Sequence, residues 1–447
     1  MVYYNYKMLL NMRLIGTFLK KLFLSPNKKV LAENFLSLSF LQVANYILPL
    51  VTLPYLVRVL GPATYGVVIF VTIIIEYCII FSDYGFNFSA SRKISVFRDD
   101  MKKIGDVFNN VFFVKLFLML AVFLAVMCFV VLVPKLRAYW FLYIFASGTL
   151  VGRNIFPTWF FQGMERMKYT AILSILSKTI FTVLIFIVVR KETDYAYVII
   201  LNALGSMVAG ILSLAIVRSH FGISIRRPSF TGMVEEIKEG WHLFVTVITY
   251  VVYSMGVPVI LGLFTDYAAV GYYGAGEKIV RAIEQMLAPL QQSVYPHISK
   301  LASESRIAAV RFIRRLAEVM GSVTFLLSLL LFVFAPAICG IVLGRGFPGS
   351  VIVVRILSFV IFARSLGQVF LAQTMLNFGE DKDVFRIALV ASLTSILSAI
   401  ILSPIFREAG AAYAALIPEI IVLIASAIFS ERKFHIFTND RRQEVKE

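Results

Sequence analysis

Charge is scarce in this 447-residue chain, and acid is scarcer still. Charged side chains make up 15% of the sequence, with 26 Asp and Glu against 43 Lys and Arg. A soluble domain carries about 25% charge, so a water-facing surface along the whole chain is excluded. Cysteine is almost absent. Cys78, Cys128 and Cys339 lie inside apolar runs without metal-ligand spacing, and read as small core residues rather than disulfides or ligands. His220, His242, His297 and His435 do not cluster. No Gly-x-x-x-x-Gly-Lys-Ser/Thr loop exists, so ATP cannot drive the chain directly unless a partner supplies it. No metal or cofactor is expected.

Long apolar runs are abundant. The sequence is 59% hydrophobic with a mean hydropathy of +0.84. Runs of roughly 18 to 25 residues recur from Leu36 to Phe429, each long enough to cross a hydrocarbon core of about 30 Å as a helix. An open sheet cannot satisfy its backbone in lipid, and the runs do not alternate as barrel strands do. The fold class is therefore all-α integral membrane protein. Twelve spans are expected, at 36–60, 64–86, 108–133, 138–162, 169–190, 195–218, 241–264, 268–296, 316–343, 351–377, 384–404 and 409–430.

The net charge of +17 sits between the spans, which fits the positive-inside rule rather than nucleic-acid binding. Lys28, Lys29, Arg92, Lys93, Lys102, Lys103, Arg226, Arg227, Arg311, Arg314, Arg432 and Lys433 fall on one side; Lys135, Arg137, Arg190, Lys191, Arg345 and Arg407 fall on the other. Both termini are thus expected in the cytoplasm of a multi-pass inner-membrane protein. Residues 1–35 read as a basic amphipathic segment lying on the membrane surface, and 431–447 as a basic tail. External loops are too short for a catalytic domain.

An internal repeat is visible. Glu33, Pro54, Ala63, Tyr65 and Gly66 have counterparts at Glu239, Pro258, Ala268, Val270 and Gly271, offset by 206, 204, 205, 205 and 205 residues. Two pseudo-symmetric six-helix bundles around a central cavity are the economical reading, an N-lobe over 36–218 and a C-lobe over 219–430, with a substrate site between them. Pro54 and Pro258 break helix hydrogen bonds at matched positions.

Asn45-Tyr-Ile-Leu-Pro49 through Pro54-Tyr-Leu-Val-Arg58-Val-Leu-Gly61-Pro62 resembles the first span of the Wzx polysaccharide repeat-unit flippases. Ser82-Asp83-Tyr84-Gly85-Phe86 and Trp159-Phe-Phe-Gln162-Gly163 are similar to the exits of their second and fourth spans. Ala269-Val270-Gly271-Tyr-Tyr273-Gly-Ala275-Gly-Glu277-Lys278 resembles the eighth span of the wider multidrug/oligosaccharidyl-lipid/polysaccharide exporter superfamily. The resemblance covers nearly the whole chain. It implies a non-enzymatic flippase, which moves an undecaprenyl-pyrophosphate-linked oligosaccharide from the cytoplasmic to the periplasmic leaflet by alternating access. Its implied partners are that lipid, the surrounding membrane lipids, and the polymerase and chain-length regulator of the same pathway. An ion-coupled drug antiporter of the same fold is the alternative; its lumen should be acid-rich or apolar. A membrane polymerase or ligase would need a large external loop. Asp381-Lys382-Asp383 mimics a glycosyltransferase metal motif but has no nucleotide-sugar domain around it.

Charge inside a span costs roughly 2.5–3.5 kcal/mol on insertion scales, so each such residue is a functional candidate. The cations Arg153, Lys178, Arg281 and Arg364, with Arg58 and Lys278, are the expected cationic cavity, since a pyrophosphate needs Arg or Lys donors. Arg58, Lys115 and Arg355 also lie near span ends, where they can snorkel. Glu277, Arg281 and Glu284 share one helical face and can neutralise one another. Glu76, Glu284 and Glu419 are candidates for coupling, and Asp83 with Arg92 for a gate. Gln42, Asn45, Gln162 and Gln368 are placed to meet sugar hydroxyls, although interhelical hydrogen bonding is the commoner role for such residues.

Overall fold

A computed structural model describes residues 26–438, so most of the expected N-terminal surface segment and the end of the tail lie outside the described residues. Among the described residues every regular element is helical. The first, α1 (Pro26–Asp83), is interrupted at Gly61, whose φ of 68° and ψ of 172° are open only to glycine without strain. Pro62 follows, and its missing N–H costs nothing at the start of a new helical arm. The arms 26–60 and 62–83 are thus separate rods. A short helix, α2 (Phe86–Val96), follows the second arm, and α3 (Met101–Leu132) starts from an Asp100 cap. Then come α4 (Trp140–Ile155), α5 (Thr158–Gly163) beyond the Pro157 break, α6 (Met167–Val188) and α7 (Tyr195–Phe221).

The second half repeats this plan in longer rods: α8 (Phe230–Phe264), α9 (Tyr267–Glu304), α10 (Arg306–Val342) and α11 (Gly349–Gln368). The last runs on as a π-helical stretch, Val369–Leu376. The final helix, α12 (Asp381–Phe434), bends at Arg407, where φ is 53°. That bend is held by the Arg407 ion pair with Asp266 at 2.5 Å. Among the described residues, seven helices are long and apolar enough to cross a membrane. Two of them, Leu36–Val96 and Asp381–Phe434, contain a bend and are long enough for two passes each. With those divided and α4–α5, α8 and α9 added, twelve rods result, in keeping with the expected number. Charge in mid-helix keeps α9 out of the apolar set: Glu277, Lys278, Arg281 and Glu284 fall within eight residues.

Helices of each half pack mainly on one another: α4 and α6 on α7 and α1 in the first lobe, α11 on α10 and α12, and α8 on α12 in the second. The lobes meet where the second arm of α1 crosses α9. A Cβ on Gly66 would collide with the Tyr267 carbonyl, and one on Gly271 with the Pro62 carbonyl. Adding 205 converts Gly66 to Gly271 and Pro62 to Tyr267, so each contact is the image of the other. The repeat is therefore a pseudo-two-fold axis in space, and its two matched glycines touch backbone to backbone on it.

Candidate functional site

Of the charged residues expected in the spans, one group gathers in the first lobe. Arg153 lies in the last turn of α4, just before the Pro157 break, with Nη1 3.6 Å from Glu76 Oε1 on α1. Lys178 on α6 donates to Asn45 Oδ1 at 2.6 Å. Gln42 donates to the Tyr46 hydroxyl one turn later. Arg153 is half exposed and Glu76 is 30% exposed. Two cations and one acid leave this group with one net positive charge. Glu76, which has no cation near it in sequence, is paired through space.

A second group lines a cavity in the second lobe, between α8, α9, α11 and α12. The Arg364 guanidinium on α11 forks between two carboxylates. Its Nε and Nη2 donate to Glu419 at 2.9 and 2.7 Å, and its Nη1 donates to both oxygens of Glu284 at 2.9 and 3.1 Å. Glu419 is 4% exposed and Glu284 14%. One turn away, Arg281 donates to Glu277 at 2.8 and 3.0 Å. Tyr273, Ser395 and Pro418 complete the wall. Two arginines face three glutamates, so this group carries one net negative charge. Of the two groups, the net positive one is thus in the first lobe.

The other expected residues are dispersed. Lys278 reaches across the axis to the Tyr65 hydroxyl at 3.0 Å. Arg58 donates to the Ile341 carbonyl at 2.5 Å. Asp83 bonds Lys115 at 2.5 Å and Asn87, rather than Arg92, which is exposed on α2. Lys115 is buried and does not snorkel. Gln162 and Gln368 are exposed, and Gln368 precedes the π-helical stretch, a feature frequent at functional sites. Among the described residues no group of three His, Cys, Asp or Glu could hold a metal ion.

Two cross-lobe features carry no sequence signal. Lys93 on α2 meets Glu236 at 2.8 Å and Glu239 at 3.3 Å, both on α8, and the Tyr84 ring stacks on Phe244 with centroids 4.5 Å apart. Burial pushes the Glu236 carboxyl above the usual glutamate range despite Lys93. For Lys93 burial works the other way, but the hydrogen bonds and charges of Glu236 and Glu239 outweigh it and raise the amine. On the opposite face, Lys135 donates to the carbonyls of Gly262, at 2.5 Å, and Thr265. Neither Lys93 nor Lys135 stands out in sequence, because each reads as an ordinary loop cation.

The profile of the family described as "Polysaccharide biosynthesis protein" matches residues 31–302. The chain is 32% identical to an Escherichia coli K12 protein named "Putative O-antigen transporter", over 91% of this chain and 98% of that one. It is 24% identical to a Shigella dysenteriae protein of the same name, over 88% and 98%. Among solved structures it resembles the lipid II flippase MurJ in an inward closed conformation, with a TM-score of 0.66, 12% identity, and coverage of 90% and 87%. That likeness shows a shared fold. With more than half of the sequence inside the family profile and a relative one-third identical along nine-tenths of it, the chain belongs to the polysaccharide biosynthesis protein family.

Proposed function

We propose that the chain is a flippase, moving an undecaprenyl-pyrophosphate-linked oligosaccharide repeat unit outward across the bacterial inner membrane by alternating access between its lobes. The observation that carries this reading is the first-lobe group: Arg153, half exposed, pairs with its one acid, Glu76, while Lys178 is held by the neutral Asn45. Spare positive charge there suits a diphosphate, which charged donors bind strongly. The names of the relatives, which refer to O-antigen transport, support the same cargo class. Arg281, Arg364, Arg58 and Lys278 add donors at other depths, and Gln42, Asn45, Gln162 and Gln368 supply amides for sugar hydroxyls. The face bearing Lys93, Arg227 and Arg314 is the cytoplasmic one. Reporter fusions at Lys103, Arg227 and Arg314 should read inside, and at Arg137 and Tyr267 outside. The polymerase and chain-length regulator of the pathway receive the product on the far side.

A pyrophosphate diester carries about two negative charges, and the cytoplasm is negative, so outward movement is downhill by about 4.6 kcal/mol per 100 mV. Membrane potential is the main drive, and Glu76 or Glu419 adds a pH-dependent step as the empty carrier resets. Vesicles with an imposed potential, and no proton or sodium gradient, should flip the lipid faster when the loading side is negative. Equal rates at both polarities would eliminate potential as the drive. The surplus acid of the second-lobe cavity favours a second reading, an ion-coupled antiporter for small cations. Loss of drug resistance together with retained surface polysaccharide in a deletion strain would select it.

A further inference from the structure

On the face opposite the basic loops, two cations bond backbone oxygen across the lobes. Arg58, near the end of the first arm of α1, donates to the Ile341 carbonyl in the last turn of α10. Lys135, in the turn after α3, donates to the carbonyls of Gly262 and Thr265 at the end of α8. The last carbonyls of a helix lack intrahelical partners and form the negative end of its dipole. Each cation of the first lobe therefore caps a helix of the second. The repeat relates them. Adding 205 to Arg58 gives 263, beside Gly262; subtracting 205 from Ile341 gives 136, beside Lys135. The two contacts occupy dyad-related positions flanking the axis at Gly66 and Gly271, although both donors stay in the first lobe.

We propose that Arg58 and Lys135 form a twin latch that holds this face shut, and that their release opens it. The chemistry suits a reversible closure. A cation on peptide carbonyls is held by a charge-assisted bond, without the tighter grip of a buried ion pair. On release both partners regain water. The two latches flank the axial contact, and each adds its own hold on the closed face independently of the other. The latch acts on the gate alone, whatever the cargo.

The test is a spin-label distance measurement on the full chain in nanodiscs, with Cys78, Cys128 and Cys339 replaced by Ser. Labels replace Arg137 on the first lobe and Arg345 on the second, both exposed on this face. Arg58→Ala or Lys135→Ala should each raise the ratio of long to short distances about tenfold, and the double variant about a hundredfold, since the sites are independent. Arg58→Lys, which keeps a cationic donor, should stay near the parent ratio. A second pair within the first lobe, Arg137 and Arg190, should not change; a shift there would mean unfolding, and the single variants then carry the test. An unchanged cross-lobe distribution in folded variants overturns the latch.

Discussion

Arg364 is where the second lobe is most exposed to a single change. Its guanidinium makes four contacts of 2.7–3.1 Å with two carboxylates on different helices. Arg364→Ala takes away the guanidinium that bridges the Glu284 and Glu419 carboxylates. Removing one partner of a fully buried pair costs about 3–5 kcal/mol. Arg364 is itself 36% exposed, so water recovers part of that, and a loss of about 2–3 kcal/mol is expected. Adding Glu419→Gln removes the more deeply buried of the two acidic charges and restores the net charge of the cavity group. The double variant should therefore recover at least half of the lost stability, a coupling that independent sites do not show. Thermal unfolding of the purified protein in detergent measures each member of the cycle. If Arg364→Ala melts with the parent, or if the double variant melts no higher than Arg364→Ala, the cavity is not organised around this residue and the reasoning fails.

Arg153→Ala and Lys178→Ala should abolish surface polysaccharide at near-normal protein level, read by silver-stained gels and immunoblots of complemented deletion strains. Normal export by both would remove the first-lobe group from the mechanism. Gly66→Ala and Gly271→Ala should each cost about 1–3 kcal/mol, because the new methyl meets a carbonyl of the other lobe; melting temperatures report this. Glu236, with its pKa raised in the folded state, holds its proton at a pH where the unfolded chain has lost it. Its contribution is present at acid pH and lost as pH rises through that raised value. Lys93, also raised, contributes below the usual lysine range and loses that contribution in alkali. Glu236→Gln should flatten the stability profile just above the ordinary carboxylate range, and a profile parallel to the parent's would contradict this.

The helical membrane fold was legible because bilayer thickness imposes run length, and the dyad because Gly66 and Gly271 are needed for a backbone contact that no other residue permits. The charges were legible as charges, but their partners were not. Arg364 and Glu419 stand 55 residues apart and meet only because α11 packs on α12. Glu76 likewise finds Arg153 across a helix interface. Position along the chain could therefore not say which acids are neutralised. The Arg58 and Lys135 contacts are invisible for a different reason: their acceptors are main-chain oxygens, which every residue has. The π-helical stretch after Gln368 follows from packing and leaves no pattern in Val369–Leu376.

The axial contact also sets mechanical advantage. Gly271 lies near the start of α9, four residues from Tyr267 but 33 from Glu304. At 1.5 Å per residue, those distances are about 6 Å and about 50 Å. A rocking motion of about 10° around that point moves the near end by about 1 Å and the far end by about 9 Å, by simple lever arithmetic on those lengths. Steric freedom at one end of the molecule is thereby geared to fine displacement at the other. The larger displacement belongs to the basic face, whereas the opposite face can be unsealed by shifts no larger than the reach of one side chain.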